Sequence, residues 1–168
     1  MTTKRKGVVL ALSLLCAGLF FSCSKSDNQS FLVQLERVDA FIRQGQTSDA
    51  MATLKKAEKN AFSAFARLGI YRRYMTLGEK SLAEKTLQNA LKALPENQEL
   101  TAVYAHYLLR ADRYDEAVDI SRPLAGTRYG SLYSEAVLRK VAELAKKTSF
   151  YSDELAAVYY DAFVGTGN

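Results

Sequence analysis

Residues 70–95 read IYRRYMTLGEKSLAEKTLQNALKALP. Ile70, Tyr71, Tyr74 and Leu77 recur at helical spacing before Gly78-Glu79-Lys80, and Ala83, Leu87, Ala90, Leu91 and Leu94 recur after it. This pattern predicts two amphipathic helices joined by a tight turn. The small alanines at the crossing let the two axes approach closely. Pro95 closes the second helix, because its ring clashes with the preceding turn and pushes Leu94 out of helical geometry. Asn97 is then placed to cap the next helix.

The same grammar appears on both sides of this stretch. Gly45, Ala50, Leu54 and Ala57 stand 33 residues before Gly78, Ala83, Leu87 and Ala90, and Phe41 and Tyr74 share the offset. A further 34 residues on, Asp112, Ala117, Ser121 and Leu124 take these places, with Leu108 in the aromatic position. The third copy is looser but in phase. Each copy is a helix, a turn marked by Gly or Asp, and a second helix with small or apolar residues at the first position, +4 and +7.

A period of 33 to 34 residues built of two helices, with Gly78, Ala83, Ala90, Leu91 and Pro95 so spaced, resembles the tetratricopeptide repeat over residues 31 to about 125. Arg113-Tyr114-Asp115-Glu116-Ala117 looks like the stretch that opens the second helix of such repeats, and Gln46-Thr47-Ser48-Asp49-Ala50 is a weaker version. Arg67 stands where the family prefers a large aromatic, and Tyr71 where it often has glycine. The resemblance implies an all-α, right-handed solenoid of antiparallel helical hairpins, about three repeats plus a degenerate fourth. Such a stack buries its apolar faces only against neighbouring hairpins and presents a concave face lined by first helices. By phase with the family pattern, the groove-facing candidates are Asp39, Ile42 and Arg43 in the first copy, Leu68, Arg72 and Met75 in the second, and Ala102, His106 and Arg110 in the third. Arg43, Arg72 and Arg110 form a basic stripe suited to clamping the carboxylates of an acidic segment or a chain terminus. The competing reading is that all three are solvated helix faces.

Past Gly126 the period blurs. Residues 131–147 and 152–163 still read as helices, with Leu132, Ala136, Val137, Val141 and Leu144 on one face of the first, so residues 126–168 are expected to form the degenerate hairpin and the whole to hold eight antiparallel helices. Pro123 should stop the preceding helix near Ser121, and Gly126 should help turn the chain. The last helix has no polar outer face: Leu155, Val158, Tyr159 and Ala162 form a stripe that Tyr151, Tyr160 and Phe163 widen. This edge is expected to be covered by self-association or a partner, or to continue into a longer array.

At the other end, Lys4, Arg5 and Lys6 precede the uncharged run Val8 to Phe21, which suits the core of an export signal and falls short of the roughly 20 residues of a membrane-spanning helix. Phe20-Phe21-Ser22-Cys23 resembles a relaxed lipobox of the kind found in spirochaetal lipoproteins. That resemblance implies a signal peptide over residues 1–22, a lipid on Cys23, a polar tether over residues 23–30, and a domain in the periplasm at the cell membrane or outer membrane. Cys16 would leave with the leader, so the mature chain would carry neither disulfide nor free thiol.

The 168 residues are 48% apolar and 24% charged, which suits one packed domain or a short repeat array and excludes a disordered tail. Two prolines, no tryptophan and abundant Ala, Leu, Lys and Glu argue against an all-β fold. The net charge of +5 falls to +2 without the leader, which removes the main support for a nucleic-acid partner. Lys55, Lys56 and Lys59 read as a solvated outer face.

His106 is the sole histidine, so a zinc site of paired histidines is excluded, and no metal or cofactor is expected. Gly126 to Gly130 and Gly165-Thr166-Gly167 lack the lysine and downstream Ser or Thr of a phosphate loop. A triad on His106 has no marked nucleophile, and the favoured reading of His106 is a partly buried residue packed beside Tyr104 and Tyr107. Catalysis is therefore not expected. The sequence points to a lipid-anchored adaptor that binds a protein or peptide in its groove. The alternative is a small-ligand carrier, or an accessory subunit of periplasmic solute transport, with a cavity between first helices.

Overall fold

The computed structural model describes residues 29–147 together with 153, 156–158 and 160. All regular structure among them is helical. The expected leader, Cys23 and most of the expected tether lie outside the described residues, although residues 29 and 30, expected in the tether, already belong to a helix.

Two compact units divide the chain, Met1–Phe62 and Ser63–Asn168, so the division falls between the first and second of the expected hairpins. In the first unit, α1 spans 29–43 and α2 spans Thr47–Glu58. Phe31, Leu35 and Val38 of α1 are buried, as are Ala50, Leu54 and Ala57 of α2, at the spacing of one helical face.

The second unit contains α3 (Ala64–Thr76), α4 (Lys80–Ala93), α5 (Gln98–Arg110), α6 (Tyr114–Ser121), a 3-10 turn (Arg122–Leu124) and α7 (Gly130–Lys147). Each helix packs on the next, and α5 also touches α3 and α7. α5 is the central element. Leu100, Thr101, Ala102, Tyr104, Ala105, Leu108 and Leu109 are all buried along it. Around it Leu87, Ala90, Ala117, Val118, Tyr133, Ala136 and Val137 complete the core. Fully burying one such Leu or Val side chain contributes about 1.5–3 kcal/mol.

The turns repeat with the sequence. Gly45, Gly78 and Asp112 adopt positive φ angles of 71°, 79° and 56°. In each the residue at positive φ donates its N–H to the carbonyl three back: Gly45 to Ile42 at 3.0 Å, Gly78 to Met75 at 3.1 Å, Asp112 to Leu109 at 3.3 Å. The following N–H reaches five back: Gln46 to Phe41 at 2.9 Å, Glu79 to Tyr74 at 2.9 Å, Arg113 to Leu108 at 3.0 Å. This is the helix-ending arrangement that satisfies the last carbonyls through a left-handed residue. Asp tolerates that conformation better than most side chains, which is why it can replace Gly in the third copy.

Helix ends elsewhere follow the local chemistry. The Asn97 side chain accepts the Leu100 N–H at 3.0 Å and Ser63 accepts the Ala66 N–H at 3.1 Å. α4 ends at Ala93, with Leu94 at φ −136° ahead of Pro95, and α6 ends at Ser121 with Pro123 inside the 3-10 turn. Gly126, at φ 77°, turns the chain. α7 supplies the first half of the last expected hairpin. Residues 153, 156–158 and 160 are helical, and the rest of the second half lies outside the described residues. No helix among the described residues is long and apolar enough to cross a membrane.

Candidate functional site

Ser63 starts α3 and Gly78 ends it, which fixes Tyr71, Arg72 and Met75 in its last two turns. Asn97 starts α5 and Asp112 follows it, which fixes His106, Tyr107 and Arg110 at the same relative spacing in its last two turns. Between them lies a cavity of about 230 Å³ lined by Tyr71, Met75, Lys80, His106, Tyr107, Arg110 and Ala111.

Tyr71 and Tyr107 form the aromatic wall, edge to face with centroids 6.4 Å apart. Burial pushes the Tyr71 phenol up, and Arg110 and then Arg72 oppose that shift by their charge. Two arginines from two helices thus act on one half-buried ring. His106, Arg72 and Arg110 are exposed, and Met75 is half-buried. The exposure of His106 corrects the expectation that it is partly buried beside the tyrosines, while its place at the cavity agrees with its groove-facing assignment: Tyr104 turns to the core, Tyr107 to the wall, and His106 to the rim.

Leu68 and Ala102 are also corrected. Leu68 shares a helical stripe with Arg72 and Met75, but is 2% exposed and belongs to the core; Ala102 is 5% exposed. Both stripes pass from core to surface along the helix, so only their C-terminal halves reach the cavity. In the first unit Asp39 and Ile42 are half-buried and Arg43 is exposed on α1, while the Arg37 guanidinium lies 5.4 Å from the Phe41 ring centroid. The structure thus gathers Met75, His106 and Arg110 at one cavity with Arg72 beside it, and places Asp39 and Arg43 in the other unit.

Tyr71, Tyr107 and Lys80 escaped the groove assignment, as did the polar cluster behind the wall. Tyr107 donates its hydroxyl to Glu84 Oε2 at 3.3 Å, and Tyr104 donates to Glu84 Oε1 at 3.2 Å. Their rings stack with centroids 6.3 Å apart. Gln88 Nε2 donates to Tyr104 Oη at 3.0 Å. Arg113 reaches Glu84 Oε1 at 2.5 Å and grips Glu116 with two further donors at 2.6 and 2.5 Å. These carboxylates hold the Arg113 guanidinium further toward its charged form, Glu116 foremost, while Arg113 lowers the Glu116 carboxyl below its usual range. Burial first, then the Glu84 charge, raises the Tyr107 phenol. A tyrosine pair three residues apart on α5, opposite a glutamate one turn after Lys80, was the available signal.

A second cavity, about 830 Å³, opens between the end of α4 and α6. Leu91, Pro95, Ile120, Pro123 and Leu124 give it apolar walls, and Lys92, Glu96 and Asp119 also line it. Both prolines of the chain border it. No cluster of His, Cys, Asp and Glu able to hold a metal ion occurs among the described residues.

Comparison with known proteins adds one relative. An uncharacterized protein of Treponema pallidum (strain Nichols) is similar to this chain, 30% identical over 132 residues. The match covers 79% of this chain and 20% of the relative, so the chain spans about a fifth of the length of the protein it matches. No known family profile matches the chain, and no solved structure matches it.

Proposed function

We propose that this protein is a lipid-anchored adaptor of the cell envelope, not an enzyme, which holds an acidic tail or a free carboxy terminus of a partner protein in the groove between α3 and α5. The observation that carries the reading is the pairing of Arg72 and Arg110 around Tyr71, with Lys80 at the same cavity and no carboxylate among its lining residues. An anion there gains charge-assisted hydrogen bonds, and an apolar or aromatic side chain beside it gains the tyrosine wall and Met75. The repeated hairpin turns support a tetratricopeptide-like solenoid as the scaffold. The anchor rests on the charged start, the apolar run and Ser22-Cys23 of the leader, with the domain in the periplasm at the cell membrane or outer membrane. We assign no cofactor and no nucleic acid.

The test is binding of a dye-labelled peptide bearing one Phe followed by a run of Glu and Asp and a free carboxy terminus. Arg72→Glu and Arg110→Glu should each weaken it, more strongly at low salt, with little loss of fold because both residues are exposed. Unchanged affinity in the double variant overturns the reading. For the anchor, Cys23→Ala should leave a soluble or uncleaved species; a fully cleaved variant that stays on the membrane counts against it.

The 830 Å³ cavity favours one second reading, a small-ligand carrier, since its size and apolar walls suit a small molecule. It lies beside the second helices α4 and α6, away from the Tyr71 groove. The C-terminal edge also fits self-association: Leu138 on α7 is 62% exposed and Tyr160 is 69% exposed. Light scattering on residues 24–168 decides that point, a monomer at high concentration counting against it.

A further inference from the structure

Glu84 sits directly behind the groove wall, one helical turn after Lys80, with its Oε2 atom 3.3 Å from the Tyr107 hydroxyl. Its side chain is 20% exposed. A carboxylate in that position opposes any anion in the groove, because two like charges several ångströms apart at a protein surface repel by about 1 kcal/mol or more. The carboxylate is nevertheless fully engaged. Oε1 takes Arg113 and the Tyr104 hydroxyl, and Oε2 takes Tyr107. Arg113 in turn is spent: one terminal nitrogen goes to Glu84, and Nε with the other goes to Glu116. It has no fork left to offer an occupant, and it is not among the residues that line the cavity.

We propose that the Glu84–Arg113 pair, which touches no occupant itself, sets the charge preference of the groove: Glu84 ties back Tyr107 as a fixed wall, and Arg113 cancels the field of the carboxylate so that the groove stays cationic. Both are positioning residues acting through Tyr107 and through charge. The inference rests on the groove binding an anionic segment. Glu116 also faces Arg113, but it is more exposed, at 55%, and its charge is better screened.

The experiment measures two dye-labelled peptides on the full chain, the acidic peptide above and the same peptide with Lys at every Glu and Asp position. In Arg113→Gln, Glu84 loses its counter-ion, so the acidic peptide should bind about three- to tenfold more weakly while the lysine peptide binds more tightly. Adding Glu84→Gln should bring the acidic peptide back to within about twofold of the unaltered protein. A role confined to stability moves both peptides in the same direction, and that result overturns the proposal even if melting temperatures recover in the double variant. Tyr107 ring signals by NMR give a readout free of any ligand: they should shift in Glu84→Ala, which leaves the hydroxyl only the Lys80 carbonyl at 3.5 Å, and unmoved signals overturn the tie. If the unaltered protein binds the acidic peptide through Arg72 and Arg110 but ignores both changes at Glu84 and Arg113, this inference alone fails. If Arg72→Glu with Arg110→Glu leaves binding intact, the groove reading fails and takes this one with it.

Discussion

The hairpins α3–α4 and α5–α6 share a turn and differ in almost everything that follows it. Both turns place one residue at positive φ and close the same pair of backbone hydrogen bonds. After the turn, α4 runs 14 residues to Ala93 and α6 only 8 to Ser121. The turn therefore fixes the period, through backbone conformation, while proline fixes helix length. The larger cavity lies where the two ends differ, bordered by Leu91, Lys92 and Pro95 at the end of α4 and by Asp119, Ile120, Pro123 and Leu124 at the end of α6 and in the 3-10 turn. The first helices α3 and α5 differ less: both run 13 residues and carry their site residues at the same spacing, one position further along in α5.

Core positions give the largest test of this comparison. Leu87 and Ser121 occupy the same place in successive copies, and both are fully buried. Leu87 fills space in the core, so Leu87→Ala should cost about 2–5 kcal/mol. The Ser121 hydroxyl turns back on its own helix, donating to the Ala117 carbonyl at 2.6 Å, and such a bond adds little to a helix. Ser121→Ala should cost under about 1 kcal/mol. Urea unfolding of both variants measures the difference, and equal losses would break the claim that equivalent sites carry different loads.

The turn gives the next effect. No atom lies within 4 Å of where a Cβ at Gly78 would stand, so a side chain there meets only the cost of positive φ. Gly78→Ala should destabilise by about 1–2 kcal/mol. Gly78→Asp should cost less, because the third copy already uses Asp112 at φ 56° and turns its carboxylate to the Tyr114 hydroxyl at 2.6 Å. Thermal melts rank the two, and an Asp variant no better than Ala shows that the third turn depends on Tyr114 rather than on the aspartate itself.

Caps separate first from second helices. α3 and α5 begin at Ser63 and Asn97, whose side chains accept a backbone N–H, whereas Gln46, Glu79 and Arg113 make no side-chain cap to α2, α4 and α6. Asn97→Ala should therefore cost about 0.5–2 kcal/mol, and Glu79→Ala close to nothing. A similar loss for both, in chemical denaturation, would mean that the turn needs help from the residue just ahead of α4.

Much of this was legible because it is local. Gly45, Gly78 and Asp112 announce a conformation, Pro95 and Pro123 announce ends, and Asn97 announces a beginning; each acts over fewer than five residues. The face of α3 that carries Arg72 and Met75 was legible from spacing too. Depth along the helix was not, since Leu68 lies on the same stripe and is buried, and a 3.6-residue period carries no information about where a neighbour stops covering the stripe. For the same reason His106 was expected to be partly buried when it is exposed. The cluster of Glu84, Tyr104, Tyr107 and Arg113 spans 29 residues between Glu84 and Arg113. It exists only because α4, α5 and the start of α6 meet there, and no one-helix pattern reports such a meeting.

The smallest expected effect falls on Pro123, which is exposed and sits within the 3-10 turn. Pro123→Ala restores an N–H able to continue the α-helical pattern toward Asp119, which favours helix by removing the ring clash. It also frees the unfolded chain, which works against stability by about 0.4–1 kcal/mol. The two nearly cancel, so melting should hardly move. Structure should respond where stability does not: backbone chemical shifts at 121–125 should become α-helical and the larger cavity should narrow at the Leu124 end. If the shifts stay put, Ala125 at φ −54°, ψ 131° and the left-handed Gly126 end α6 by themselves. The difference in length between α4 and α6 would then belong to the loop that leads into α7 rather than to the proline.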